Sequence, residues 1–316
     1  MNFRTQQKPA DSARLVALGI AAAVCLLLSI LLGSGLWFFF GGQAAPPPVA
    51  APPSPPPANT PAPPPTPAPS PLPPTPVIGT VLIPGGTVAL GGVEGIPPRK
   101  VAVETFFISE TEVTNQQYHE FIVATRHAAP AGWTGSNFPV GTAMQPVTNV
   151  SWHDANDFCA WYGAKIGATV RLPTEAEWMR AAQGDDNLMY PWGRTWQDNV
   201  AASKQTGGRT FPVKSFPAGR SPYGVYDLAG NVWEWTSEVE LDAEGAPKTD
   251  EKGQTRRIIK GGSADEEPRT LSLSVRKAVP PTVTDPMLGF RYIVVAGSVP
   301  AANATTAGTP RPSTTP

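Results

Sequence analysis

From Leu15 to Phe40 the chain is apolar apart from Ser29 and Ser34. A helix rises about 1.5 Å per residue, so this stretch exceeds the roughly 30 Å hydrocarbon core of a bilayer and predicts one tilted transmembrane helix. The apolar core of a signal peptide is shorter, about 7–15 residues. Gly42-Gln43-Ala44 would serve as a cleavage site, but the length of the run favours a retained anchor. Further along, apolar positions recur at helical intervals in three places, each opened by a hydroxyl with an amide or acid three residues on: Thr114 with Gln117, Ser151 with Asp154, Thr174 with Glu177. The apolar faces that follow are Tyr118, Phe121 and Ile122, then Ala155, Phe158, Cys159 and Tyr162, then Trp178, Ala181 and Ala182. Gly163 and Gly184 are expected to stop the second and third helices. Short alternating runs over 101–108 and 291–295 predict strands, and Gly- and Pro-rich loops separate them. The pattern describes a mixed α+β domain with much loop.

Composition divides the chain further. Eighteen of the 39 prolines fall between Pro46 and Pro76, a window without a charged side chain. Such a segment cannot bury enough apolar area to offset its ordering entropy, so it reads as an extended spacer of about 3.1 Å per residue. The expected organisation is a cytoplasmic tail over 1–14, the membrane helix over 15–40, the spacer over 41–76, a domain over 77–297 and a disordered Thr-, Pro- and Ala-rich tail over 298–316. Arg4, Lys8 and Arg14 precede the apolar run with only Asp11 against them, and no charge follows it until Glu94. The positive-inside rule then puts the N-terminus in the cytoplasm and the domain in the periplasm or outside the cell. With 24 basic and 25 acidic residues the balance gives no reason to expect a nucleic-acid partner. Beyond the apolar run Cys159 is the single thiol, so the domain has no internal disulfide and must stand on its core.

The runs VLIPGGTVALGG, FFISETEVTNQQYHEF, PVTNVSWHDANDFCAWYG, RLPTEAEWMRAA, YPWG, PVKSFPAGRSPYGVYDLAGNVWEW, KGGS and LGFR occur in that order between Val81 and Val295. Together they resemble the formylglycine-generating-enzyme-like, or sulfatase-modifying factor, domain family. The resemblance implies an irregular, loop-rich variant of the C-type lectin fold, here behind one transmembrane helix.

It also bears on YGVYDLAGNVWEWTS, where Glu234 stands between Trp233 and Trp235. On size alone the tryptophans belong to the core, and Glu234 would answer an arginine or backbone donors. The resemblance implies instead a calcium site, with Asp227 and Glu234 as side-chain ligands and Gly230 and Val232 supplying carbonyls, a set of hard oxygens that suits Ca²⁺. A second family calcium site would begin at Asn199 and Val200, but the loop from there to Pro212 is short and lacks the expected aspartate. His119, His127 and His153 are too scattered to predict an iron centre.

In the oxygen-dependent enzymes of the family the Gly-Gly-Ser turn is followed by two copper-binding cysteines. Here Gly261-Gly262-Ser263 continues as ADEEPRTLSLSVRKA, with no thiol. Cu(I) selects soft thiolates, so no copper is expected, and Asp265, Glu266, Glu267 and Arg269 become the candidate ligand-binding residues. The expected function is a membrane-tethered module that binds a protein, peptide or glycan outside the cytoplasm. The alternative is an enzyme of the family whose chemistry uses these carboxylates rather than cysteines.

Overall fold

The computed structural model describes residues 77–91 and 98–298. The expected cytoplasmic tail, transmembrane run and spacer lie outside them, as does the tail after Ser298. No described helix is long and apolar enough to cross a membrane.

All three expected helices are present: α1 (Asn115–Thr125), α2 (Trp152–Ile166) and α3 (Glu175–Gln183). Each begins at the expected hydroxyl with a complete capping box, in which the cap oxygen and the side chain three residues on each accept the other's backbone N–H. Gly184 ends α3 as expected, but Gly163 does not end α2. The helix continues to Ile166 and stops at Gly167, whose φ of 69° is the left-handed conformation a C-terminal cap uses. Gly163 serves close packing instead. A Cβ there would stand 2.8 Å from the Ala168 carbonyl oxygen, where the chain folds back on the helix.

The strands form three sheets. β1 (Thr80–Ile83), β4 (Phe106–Ser109), β10 (Ile293–Val295) and β5 (Val170–Arg171) make an antiparallel sheet in the order β1-β4-β10-β5. β2 (Gly86–Leu90) pairs with β3 (Arg99–Val103). β8 (Arg276–Val279), β7 (Arg257–Lys260), β6 (Trp233–Val239) and β9 (Leu288–Phe290) form the third in that order, with β6 and β9 parallel. The run over 101–108 is therefore two strands in different sheets, broken at Glu104 and Thr105, and the run over 291–295 shortens to Ile293–Val295.

Central strand β4 is buried on both faces and divides the core. Phe107 packs with the cluster of α1 and α2, which includes Tyr118, Phe121, Phe158, Trp235, Phe290 and Tyr292. Phe106 and Ile108 pack on the other side with Trp178 of α3, Ile83, Leu228 and Ile293. Phe158 holds the first cluster together, its ring lying 5.3 to 6.2 Å from those of Tyr118, Phe121, Phe290 and Tyr292. Such pairs each contribute about 0.5–1.5 kcal/mol beyond area burial.

Candidate functional site

Glu234 lies on β6, where alternation sends Trp233 and Trp235 to one face and the carboxylate to the other. There it meets Arg291. Oε1 accepts from Nη2 and Oε2 from Nε, both at 2.6 Å, and Trp178 Nε1 donates to Oε2 at 2.7 Å. Both members of the ion pair are completely buried. The guanidinium also donates to the carbonyls of Ser109 and Tyr226. Burial alone would weaken the Arg291 proton, but the charge and hydrogen bonds of Glu234 hold it above the ordinary arginine value. The glutamate between two tryptophans is thus the internal counter-ion of an arginine 57 residues away.

This arrangement does not fit the calcium set. A carboxylate offers about four lone-pair directions. Three donors occupy those of Glu234, and a full positive charge lies against it. Asp227 is elsewhere engaged, in a left-handed conformation with φ 59°, and its Oδ2 accepts from Lys214 N at 2.9 Å. Gly230 N–H donates to the Gly261 carbonyl, and Val232 is buried. Asn199 is exposed, while the Val200 carbonyl packs against Gly219. No group of three or more His, Cys, Asp or Glu side chains that could hold a metal occurs among the described residues. His127 sits 3.3 Å from both Asp154 and Asp157, and His119 packs on Phe138.

Beside the ion pair lies a carboxyl that the motif reading passed over. Glu112 is 1 % exposed; Oε1 accepts from Asn231 Nδ2 at 3.0 Å, and Oε2 has no hydrogen-bond partner among the described residues. Burial, and then the charge of Asp227, push Glu112 well above the usual carboxylate range. Burial raises Asp227 from 3.8 to about 6. A carboxyl whose folded pKa is raised contributes stability that is complete below the unfolded value and lost as pH climbs through the folded one. For Asp227 that loss runs from about pH 4 to 6. Glu112→Gln keeps the acceptor for Asn231 and removes the repulsion. Its melting temperature relative to wild type is expected to rise with pH, by roughly 2–6 °C between pH 5 and 7.5. A constant difference in calorimetric scans across that range would contradict this account.

The turn after β7 builds a different kind of site. Ser263 Oγ donates to Asp265 Oδ1 at 2.6 Å, and Glu266 Oε1 accepts from Lys277 Nζ and from Trp233 Nε1, the latter at 3.2 Å. The Lys277 ammonium also stands 4.4 Å above the Trp233 ring. Glu266 Oε2 has no partner among the described residues. These groups edge a cleft of about 210 Å³ floored by Trp233, Ile259, Val279, Val283, Met287 and Leu288, with Asp285 on its rim. Of the four expected ligand-binding residues, Asp265 and Glu266 line the cleft. Glu267 instead pairs with Lys204 at 3.0 Å, and Arg269 is exposed on the short turn Pro268–Leu271. No motif marks Lys277 or Asp285: pairing of β8 with β7 places Lys277 at the cleft, and the loop before β9, where the Asp285 carbonyl accepts from Asn149 and Leu288 N–H, places Asp285. Cys159 is buried in the core, and burial pushes its thiol far above the ordinary range.

The family description "Sulfatase-modifying factor enzyme 1-like domain" matches residues 65–296. The formylglycine-generating enzyme of Bos taurus is 30 % identical over 258 residues, covering 60 % of this chain and 67 % of that protein. The inactive C-alpha-formylglycine-generating enzyme 2 of Mus musculus is 30 % identical over 283 residues, covering 69 % of this chain and 86 % of its own length. Among solved structures, PvdO from Pseudomonas aeruginosa superposes with a TM-score of 0.57 at 24 % identity, over 68 % of this chain and 94 % of PvdO, a likeness of fold.

Proposed function

Because the chain belongs to the sulfatase-modifying factor enzyme 1-like family, we propose that it is a binding member of that family, which takes a peptide or protein carrying a basic side chain into the cleft beside Trp233. The observation that carries this reading is Glu266, held by Lys277 and Trp233 through one oxygen and unpartnered at the other. It stands in the segment where the oxidising relatives are expected to have cysteines. Asp265, Glu266 and Asp285 outnumber Lys277, so the cleft is acidic over an apolar floor and complements a cation on an aliphatic stem. Cys159, the only thiol among the described residues, is buried in the core, does not line the cleft and is held protonated by burial, which supports binding over copper-dependent oxidation.

Peptide arrays that differ only in lysine against glutamate test the reading. The full chain should retain the lysine members, and Glu266→Gln should weaken retention about tenfold. Equal retention of both sets would refute it. Conversion of a cysteine peptide to an aldehyde would favour the enzyme alternative.

The reading includes a tether: the apolar run over 15–40 anchors the chain in a membrane, and the prolines after it hold the domain away from the surface. The length of that run and the basic residues before it support this. The full chain should therefore stay with membranes through alkaline carbonate washing, and its release would remove the tether from the proposal.

A further inference from the structure

We propose that a second cleft, between α3 and the edge formed by β7 and β8, binds an acidic sugar, a body rich in hydroxyls that carries a carboxylate or a phosphate. The cleft measures about 480 Å³, the size of a small-molecule site, and shares no lining residue with the one at Glu266. Its wall is one face of α3, where Glu175, Met179 and Gln183 follow at intervals of four. Glu175 and Gln183 are each only 3 % exposed. The Gln183 amide nevertheless makes no hydrogen bond among the described residues, and its Oε1 is buried bare. Buried polar groups are normally paired, so an unpaired amide in the wall of a cleft points to a ligand that pairs it.

The charges set the class of that ligand. Lys260, Arg276 and Arg194 line the cleft against the single carboxylate of Glu175, so the cleft favours an anion. Lys260 and Arg276 both stand against Oε1 of Glu175, at 3.7 and 3.3 Å, and the Lys260 ammonium is also spent on the carbonyls of Leu273 and Val275. Arg194 is different. It is exposed, has no ion-pair partner among the described residues, and donates only to the carbonyl of Asp186, three residues past the end of α3. The acid group belongs there, because a guanidinium offers a planar fork to a carboxylate or a phosphate.

The Glu175 end calls for hydroxyls. Oε2 of Glu175 has no hydrogen-bond partner, and the Nη groups of Arg276 donate to nothing among the described residues. An acceptor beside free donors suits a group that does both, and a hydroxyl donates one hydrogen bond while accepting others. Met179, between the two ends, gives the C–H face of a sugar ring an apolar surface to lie on. A simple dicarboxylate would answer the arginines and leave Oε2 without a donor. A neutral sugar would leave Arg194 without a counter-charge, and a cationic ligand would add to a lining that already holds three cations.

Titration calorimetry of the full chain tests the assignment, with glucuronate, galacturonate and glucose 6-phosphate as acidic sugars and with glucose and glutarate as controls. At least one acidic sugar should bind in the millimolar range, about tenfold more tightly than either control. The tighter of uronate and phosphate identifies the acid group. Arg194→Gln, at an exposed position, should reduce that sugar to the affinity of glucose. Gln183→Leu should weaken binding while leaving the melting temperature unchanged or higher, since it removes an unpartnered polar atom. Absence of binding by all three acidic sugars at millimolar concentration, glutarate or glucose binding as tightly as the best of them, or binding indifferent to Arg194→Gln would each overturn the proposal.

Discussion

Arg291→Met is expected to cost the domain about 3–5 kcal/mol, enough to unfold much of it, because it strands the Glu234 carboxylate where no water reaches. The opposite substitution, Glu234→Gln, leaves an uncompensated guanidinium and should cost a similar amount. The pair itself is not the source of that sensitivity. Desolvating two charges consumes most of what their attraction returns, and a matched apolar pair is often as stable as the ions it replaces. Glu234→Leu with Arg291→Met should therefore recover part of the loss. Recovery stops short because Trp178 Nε1 and the carbonyls of Ser109 and Tyr226 lose their partner, at about 1–3 kcal/mol for each buried group left unpaired. Urea unfolding of the three variants measures this, and a loss below about 1 kcal/mol for either single substitution would contradict the role given to the pair. Wild-type melting curves in calcium and in chelator should coincide, since Glu234 has its cation built in.

Gly230→Ala is expected to be nearly as damaging, for a reason confined to the backbone. Gly230 has φ 82°, and a Cβ built on it would lie 1.9 Å from the carbonyl oxygen of Ala202. That carbonyl cannot retreat freely: it accepts from Asn231 N–H at 3.1 Å, and Ala202 is 2 % exposed. Left-handed strain of about 1–2 kcal/mol adds to a clash that must move packed backbone, for a total of roughly 4 kcal/mol or more. Gly224→Ala provides the control. Its φ is 88°, but nothing lies within 4 Å of the added Cβ, so only the conformational strain remains. At about 2–4 °C per kcal/mol for a domain of this size, melting temperatures should fall by at least about 8 °C at Gly230 and about 2–8 °C at Gly224. Equal falls at the two positions would show that the Ala202 contact yields.

Local chemistry made part of this domain legible in its sequence. Thr114, Ser151 and Thr174 each reach a partner only three residues away, so the caps could be read without tertiary information, and all three helices begin there. Cys159 was placed in the core by the face it shares with Ala155 and Phe158. Long-range pairing was not legible. Glu234 lies 57 residues from Arg291, and Glu112 lies 119 from Asn231; no local pattern says which charges will meet. β4 carries no alternation because both of its faces are covered, which hid the break before it. Gly163 looked like a stop because a glycine near a helix end usually is one; the need it meets is set by Ala168 after the chain has turned back. At the Glu266 cleft the acidic run was visible, whereas the lysine that steadies it belongs to a neighbouring strand.

The order of strands in the first sheet bears on how the protein is made. β4 lies between β1, where the domain begins, and β10, where it ends, so the middle of that sheet has no second neighbour until residue 295 has emerged from the ribosome. Arg291 arrives equally late, and until then Glu234 has no counter-charge to bury against. The nascent chain consequently cannot close its core in stages from the N-terminus, and completion waits on the last few residues of the domain.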